Sequence, residues 1–592
     1  MPILRSYEIV INWLHSKLTS RQFLMVSSVL VGLTTGLVAV VLKTIVHWIH
    51  LGTAHNFNIG LQYYIYLILP LIGIVLTVYI VNRFFHGKLG KGSANILHAI
   101  VRKAAFLPKD QMYSHIITSA VTVGLGGSAG LESPIVTTGS AIGSNYCRTY
   151  HLPYKDRVLL LACGAAAGIA AAFNSPIAGV LFALEVLLVD VTISAFLPLI
   201  IAAVVGTLCA KIILKEGFLL SFQLQAPFDF HNIPFYIILG ILAGLVSVYY
   251  TRTYVGIEKM FGSTKEKTYQ KAIVAGLILS ILIFLFPSLF GEGYESIKTL
   301  SGTNAKDLLE QSILSKFGNS DWFMLFFIGA VTLIKVVAAS LTINGGGNGG
   351  NFAPSLFVGA YLGYFFSRFI NLSGISSLPV SNFTIVAMAG ILTGVFHAPL
   401  TGIFLIAEIT GGYELMVPLM IVSAISYMVV KYFEPLSMDE KKLLSKGHIV
   451  IQNKDETILS SLKMYKIIET DFQKVPPEAS LKELTEIIAH STRNIFPVVD
   501  SKNELVGIIY MDNIREIMFK TEMYENVLVK HLMRPPPATL SSIENMHSVM
   551  KKFDDTGSWN LPVVDDGQYV GFISKSSVLT KYRLRLINAS SH

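Results

Sequence analysis

The sequence predicts an all-α polytopic membrane domain of two inverted-topology repeats with broken helices, followed by a smaller α/β domain that is itself a repeat. Three observations carry this. Of 592 residues, 52% are hydrophobic and only 14% charged, whereas a soluble globular chain carries roughly 25% charged residues. The apolar residues also come in long runs: Val158 to Leu184 and Ile233 to Tyr250 hold no residue charged at pH 7. About 20 such residues cross a bilayer as a helix. Finally, the chain echoes itself. Phe173, Pro176, Gly179 and Glu185 recur at the same spacing as Phe396, Pro399, Gly402 and Glu408, and Gly130 and Pro134 recur as Gly350 and Pro354.

Each repeated segment is a Gly-rich approach followed by a Pro suited to the first turn of a helix. One such motif could merely shape packing between helices. Two of them, matched across the halves, are the mark of a fold whose interrupted helices meet near the bilayer midplane.

Composition changes near Lys431, where apolar runs give way to evenly spread charge. The expected organisation is an N-terminal segment over 1–22, a membrane domain over 23–435, a linker over 436–465, and two soluble modules over 466–523 and 524–586. The N-terminal segment mixes Arg5, Glu8, Lys17 and Arg21 with apolar residues. That pattern is an amphipathic cytoplasmic stretch rather than a cleavable signal. In the soluble part, Ile495 to Asp500 with Val506 to Ile509 recurs as Asn560 to Asp565 with Val570 to Ile573. Each is a strand, a polar turn and a second strand, preceded by a helix (481–490, then 543–552).

The net charge of +8 is spread over loops and the C-terminal region. No basic stripe interleaved with aromatics points to nucleic acid; the cations hold loops on the cytoplasmic side. Cys147, Cys163 and Cys209 are odd in number and lack paired spacing, which argues against a disulfide framework or a metal site. No metal ligands and no nucleophile–base pair stand out in the apolar part, so an enzyme is not expected.

The chemistry that the Gly-rich segments suit is anion binding. Helix N-termini offer unpaired N–H groups and the positive end of the helix dipole, and Gly lets the backbone approach an ion closely. Three segments have this form: Gly90 to Ala94, Gly126 to Pro134, and Gly345 to Pro354. None ends in the Lys-Ser/Thr of a nucleotide-binding loop.

These three stretches resemble the signature motifs of the CLC family of anion channels and proton/chloride exchangers. The soluble repeats are similar to a pair of CBS modules, so the resemblance covers nearly the whole chain. It implies a homodimeric, multi-pass protein of the plasma or inner membrane with both termini cytoplasmic, one pathway per subunit, and chloride or a similar monovalent anion as the permeating species. Pro134 after Glu132 speaks against the fluoride-handling branch.

By the same resemblance, Glu132 is the gating glutamate, a carboxylate that competes with the anion and moves aside when protonated or displaced. An acid inside a membrane segment is costly and usually functional. The backbone of Gly92, Gly130, Leu131, Asn351 and Phe352 is expected to face the anion. Lys91 stands where the family usually has a Ser, and Asp439 aligns with its central-site Tyr. Either these two approach each other at the anion site, or Lys91 snorkels to the pathway mouth and Asp439 is solvated.

The residue after Glu185, where family exchangers commonly carry a second glutamate for protons, is Val186. Valine carries no proton, so the reading is a passive channel influenced by voltage or pH. A proton-coupled antiporter is the alternative, and a non-conducting regulatory protein is a distant one. Glu185 and Glu408 are expected to tie helices together, and Lys335 either to support the anion potential or to be structural. In the CBS pair, Asp512 is the candidate for a ribose hydroxyl of one adenine nucleotide, with Ser576 at the matching place of the second repeat.

Overall fold

The computed structural model describes residues 18–54, 59–87, 89–90, 92–102, 104–188, 193–215, 227–262, 268–301, 305–310, 312–318, 320–445, 462 and 464–591. They fall into two compact units divided near residue 448. The first unit begins with α1 (Ser20–Ala54), α2 (Ile59–Phe84), α3 (Gly92–Arg102) and α4 (Ser114–Gly124). Next come α5 (Glu132–Thr149), α6 (Tyr154–Phe173), α7 (Pro176–Phe182) with a π turn over Ala183–Leu187, and α8 (Ile193–Leu214). After α9 (Ile233–Gly262), α10 (Thr268–Leu285) and α11 (Tyr294–Ser301), the pattern returns as α12 (Asp321–Asn344), α13 (Phe352–Leu372), α14 (Val380–Phe396), α15 (Pro399–Ile409) and α16 (Met416–Phe433). A short α17 (Met438–Ser445) closes the unit. Among the described residues, eight helical stretches are long and apolar enough to span a membrane.

The two halves repeat each other down to single bonds. Helix α6 ends at Asn174 and α14 at His397, both left-handed at φ 56°, and each is followed by a Pro opening the next helix. The long apolar run from Val158 is therefore two helices, broken where the chain turns over. At the centre, Gly130 and Gly350 exchange N–H···O bonds of 2.9 and 2.8 Å. The Thr122 hydroxyl accepts the Asn348 N–H at 2.9 Å, and the Thr342 hydroxyl accepts the Ser128 N–H at 3.1 Å. Such reciprocal exchange is what a two-fold relation between the repeats produces. Gly126 and Gly346, at φ 94° and 121°, make the matching turns that enter this crossing, a conformation open to Gly alone.

Close helix packing fixes these loops in place. A Cβ on Gly139 of α5 or Gly164 of α6 would run into the backbone of the other helix, and Gly363 of α13 stands in the same relation to Phe383 of α14. Small residues that let backbones touch are how apolar helices associate when lipid offers no hydrophobic contrast.

The second unit contains two antiparallel hairpins, β1 (Ile495–Val499) with β2 (Leu505–Tyr510) and β3 (Asn560–Asp565) with β4 (Gln568–Ser574). Both shift register at the same place, between Val498 and Val499 and between Val563 and Val564. Each takes a further parallel bridge, from Val475 and from Leu540. Helix α18 (Leu481–Ala489) starts on a capping box between Ser480 and Glu483, which satisfies two otherwise unpaired donors. Helices α19 (Met546–Thr556) and α20 (Lys575–Ser591) complete the unit.

The start of the expected linker, at 436, differs from the structure. Residues 438–445 are α17, which belongs to the first unit and presents the Asp439 carboxylate to the Ser93 hydroxyl of α3. Met438 and Leu443, both buried, let this helix pack instead of run free.

Candidate functional site

Three helices point their N-termini at one small cavity of about 40 Å³. Gly92 and Ser93 come from α3, Ser133 from α5, and Asn351 and Phe352 from α13. The first four N–H groups of a helix have no partner within it, so the lining offers donors and partial positive charge. The aromatic motif residues of both repeats close the wall. Phe352 lies 4.3 Å from Phe396, 5.5 Å from Phe182 and 6.2 Å from Phe173, ring centre to ring centre.

The side chains of the cavity are arranged around that backbone. The Tyr250 hydroxyl donates to Asn351 Oδ1 at 3.1 Å, which fixes the Asn side chain. Asp439 accepts from the Ser93 hydroxyl. Lys442, one turn along α17, reaches the same cavity. Its Nζ donates to the Tyr254 hydroxyl at 3.1 Å, lies 4.5 Å from the centre of that ring, and stands 3.8 Å from Glu258.

Glu132 lies beside the Gly130–Gly350 crossing, at the start of α5. It is buried, with 3% of its surface exposed, and its Oε1 accepts from the Tyr294 hydroxyl at 2.5 Å. The backbone N–H groups of Glu132 and Ala353 also face the carboxylate. A Cβ on Gly130 would overlap Glu132 Oε2 and lie 3.0 Å from Ala353 Cβ, so the carboxylate sits between Gly130 and the first turn of α13. It is thus held among helix N-termini, where a negative group is favoured.

The residues expected at the site separate into groups. Gly92, Asn351, Phe352 and Asp439 line the cavity, and Glu132 adjoins its loops. Gly130 and Leu131 are not in the lining: the Gly130 N–H is taken by Gly350 O, and the Leu131 N–H by Glu292 Oε1 at 3.2 Å. Lys91 lies outside the described residues. Among those described, the partner of Asp439 is Ser93, and the cavity's cation is Lys442.

Ser93, Tyr254, Lys442, Glu292 and Tyr294 were missed by sequence reasoning. For Glu292 and Tyr294 a signal existed, since they alternate with Gly291 and Gly293 in a turn of the Gly-rich kind already read elsewhere. Tyr254 carries no such mark.

Val186 is half-buried in the π turn after α7. The glutamates beside it and in the other repeat tie helices together reciprocally. Glu185 accepts the N–H groups of Leu400 and Thr401 at 2.9 and 2.8 Å, and Glu408 accepts those of Ile177 and Ala178 at 3.1 and 2.9 Å. Lys335 is fully buried and donates to backbone carbonyls at 3.3 and 3.4 Å. In the second unit Asp512 is exposed and pairs with Arg515, while Ser576 lies 3.2 Å from the Ser574 hydroxyl.

Known proteins share this architecture. Residues 72–431 match the model of the voltage gated chloride channel family, and residues 465–520 and 529–583 each match the CBS domain. Chloride channel protein CLC-f of Arabidopsis thaliana is 28% identical over 68% of this chain, a match that spans 56% of the plant protein. A putative chloride channel protein ClcB-like of Ralstonia nicotianae is 29% identical over 57% of this chain and 76% of its own length. Among solved structures, a slow cyanobacterial Cl⁻/H⁺ antiporter superposes with a TM-score of 0.63 at 22% identity, covering 73% of this chain and 99% of its own. A eukaryotic CLC transporter does so with 0.60 at 19% identity, covering 94% and 97%. The family match extends over more than half the chain and takes in the cavity's α3, α5, α9 and α13 together with Glu132: the chain belongs to the voltage gated chloride channel family and ends in two CBS domains.

Proposed function

We propose that this protein lets chloride or a similar monovalent anion cross the membrane through the cavity at α3, α5 and α13, passively, with Glu132 as the gate. The carrying observation is the Glu132 carboxylate itself, buried between the start of its own helix and the first turn of α13 and held there by the Tyr294 hydroxyl. A negative group in that seat competes with an anion for the same donors. The names of the relatives, chloride channel proteins, support chloride as the ion.

Val186 favours passive flow, because the residue directly after Glu185 cannot hand a proton on. Coupled proton exchange is the second reading, and its support is the fold shared with a Cl⁻/H⁺ antiporter. The deciding experiment records anion efflux and internal pH together from liposomes holding the purified protein. Passive flow requires efflux with no proton movement against its gradient; uphill proton movement driven by chloride would overturn it.

The CBS pair regulates the pathway in this reading, with one adenine nucleotide near Asp512, and the protein works as a homodimer with both termini cytoplasmic. Lys442 supplies the anion-attracting charge. Replacing it by Met keeps the stem and removes the ammonium, and roughly a fivefold rise in the half-saturating chloride concentration is expected. Chloride titration of efflux checks this, and an unchanged half-saturation would exclude Lys442 from the site.

A further inference from the structure

The turn that precedes α11 is built more firmly than a connection requires. Gly291 and Gly293 both take positive φ, 62° and 92°, and Glu292 and Tyr294 alternate with them. Lys335, fully buried on α12, donates from Nζ to the carbonyls of Leu289 at 3.4 Å and Gly291 at 3.3 Å. The same ammonium lies 4.6 Å from the centre of the Phe357 ring of α13. The Gly291 N–H donates to Gly126 O at 3.3 Å, tying the turn to the loop that leads to Glu132.

From this fixed turn two side chains reach the gate segment. Glu292 Oε1 accepts the N–H of Leu131, the residue before Glu132, at 3.2 Å. The Tyr294 hydroxyl donates to Glu132 Oε1 at 2.5 Å, within the range of a charge-assisted O–H···O⁻ bond. One contact fixes the backbone from which the gate swings, and the other holds the carboxylate.

We propose that the Gly291–Tyr294 turn is a latch on the gate, in which Tyr294 holds the Glu132 carboxylate in its seat while Glu292 and Lys335 fix the turn and the backbone beside it. The proposal rests on Glu132 being the gate. Tyr294 is a positioning residue: it acts on the permeating anion only through Glu132. The seated carboxylate leaves when the hydroxyl lets go, so the latch sets how often the pathway opens.

The test is a double-mutant comparison of anion efflux from liposomes at neutral pH. Tyr294→Phe removes one oxygen and keeps the ring, and it is expected to raise efflux about tenfold, the weight of one hydrogen bond to a charged group. In a Glu132→Ala background the same change is expected to do nothing further, because no carboxylate remains to hold. A merely structural Tyr294 would change both backgrounds by the same factor, and that result overturns the latch. An unmoved Tyr294→Phe rate beside a raised Glu132→Ala rate overturns the latch alone. A Glu132→Ala rate equal to wild type overturns the gate reading and the latch with it. Lys335→Met, which frees the turn without touching Glu132, is expected to raise efflux in the same direction, again only where Glu132 is present.

Discussion

Glu132→Gln is expected to raise anion efflux at pH 7.5 by between about tenfold and a hundredfold and to remove its dependence on pH. The amide keeps the size of the side chain and loses its charge. A carboxylate at a helix N-terminus gains up to ~2 kcal/mol from the dipole in a partly buried setting, and its hydrogen bond from Tyr294 contributes about 1.5–3 kcal/mol. Both are weakened in the amide, so the seat is left to the anion. The sign with pH follows from the same charge. Protonation makes wild-type Glu132 resemble Gln, so wild-type efflux rises as pH falls and approaches the variant's rate, while the variant's own rate stays level. A chloride electrode in the liposome suspension, read between pH 4.5 and 8, checks both parts. Equal rates at every pH would remove Glu132 from the pathway.

The place of Glu132 at the start of α5 was legible in the sequence because its signal is local: an acid between a Gly-rich loop and a helix-opening Pro, repeated without the acid at Asn351 to Pro354. The repeat itself was legible for the same reason, since Phe173 to Glu185 and Phe396 to Glu408 hold one spacing. What the repeat does was only partly legible. That Gly130 and Gly350 bond to each other, so that neither offers its N–H group to an ion, appears only when residues far apart in sequence are brought together. The polar wall of the cavity was less accessible still. Ser93 meets Asp439 across 346 residues, and Lys442 finds Tyr254 across 188. Before folding, Lys442 is one of several cations on an ordinary polar helix, and Tyr254 one aromatic residue in an apolar run. Lys91, to which its departure from a motif directed attention, lies outside the described residues; among those described, the cavity's cation is Lys442 of α17, within a segment read as linker.

Glu185→Ala is expected to destabilise the membrane unit by about 3 kcal/mol, an effect on folding with no charge moved in the pathway. The two repeats brace each other through this residue and Glu408. Glu185 accepts two N–H groups at the start of α15 and the Thr401 hydroxyl at 2.7 Å, and Glu408 accepts two N–H groups at the start of α7. Helices opened by Pro176 and Pro399 lack one N–H from the outset, and the next two in each are those the carboxylates take. Within an apolar environment a donor left without a partner costs several kcal/mol. Glu185→Gln keeps one acceptor oxygen and should lose about half as much. The double variant Glu185→Ala/Glu408→Ala should lose less than the sum of the two single variants, because α7 and α15 pack against each other and the first loss already loosens the second contact. Heating purified protein in detergent and measuring the folded fraction by size-exclusion chromatography separates these outcomes. A single variant that melts within about 1 °C of wild type would mean that the crossed carboxylates do not hold the repeats together.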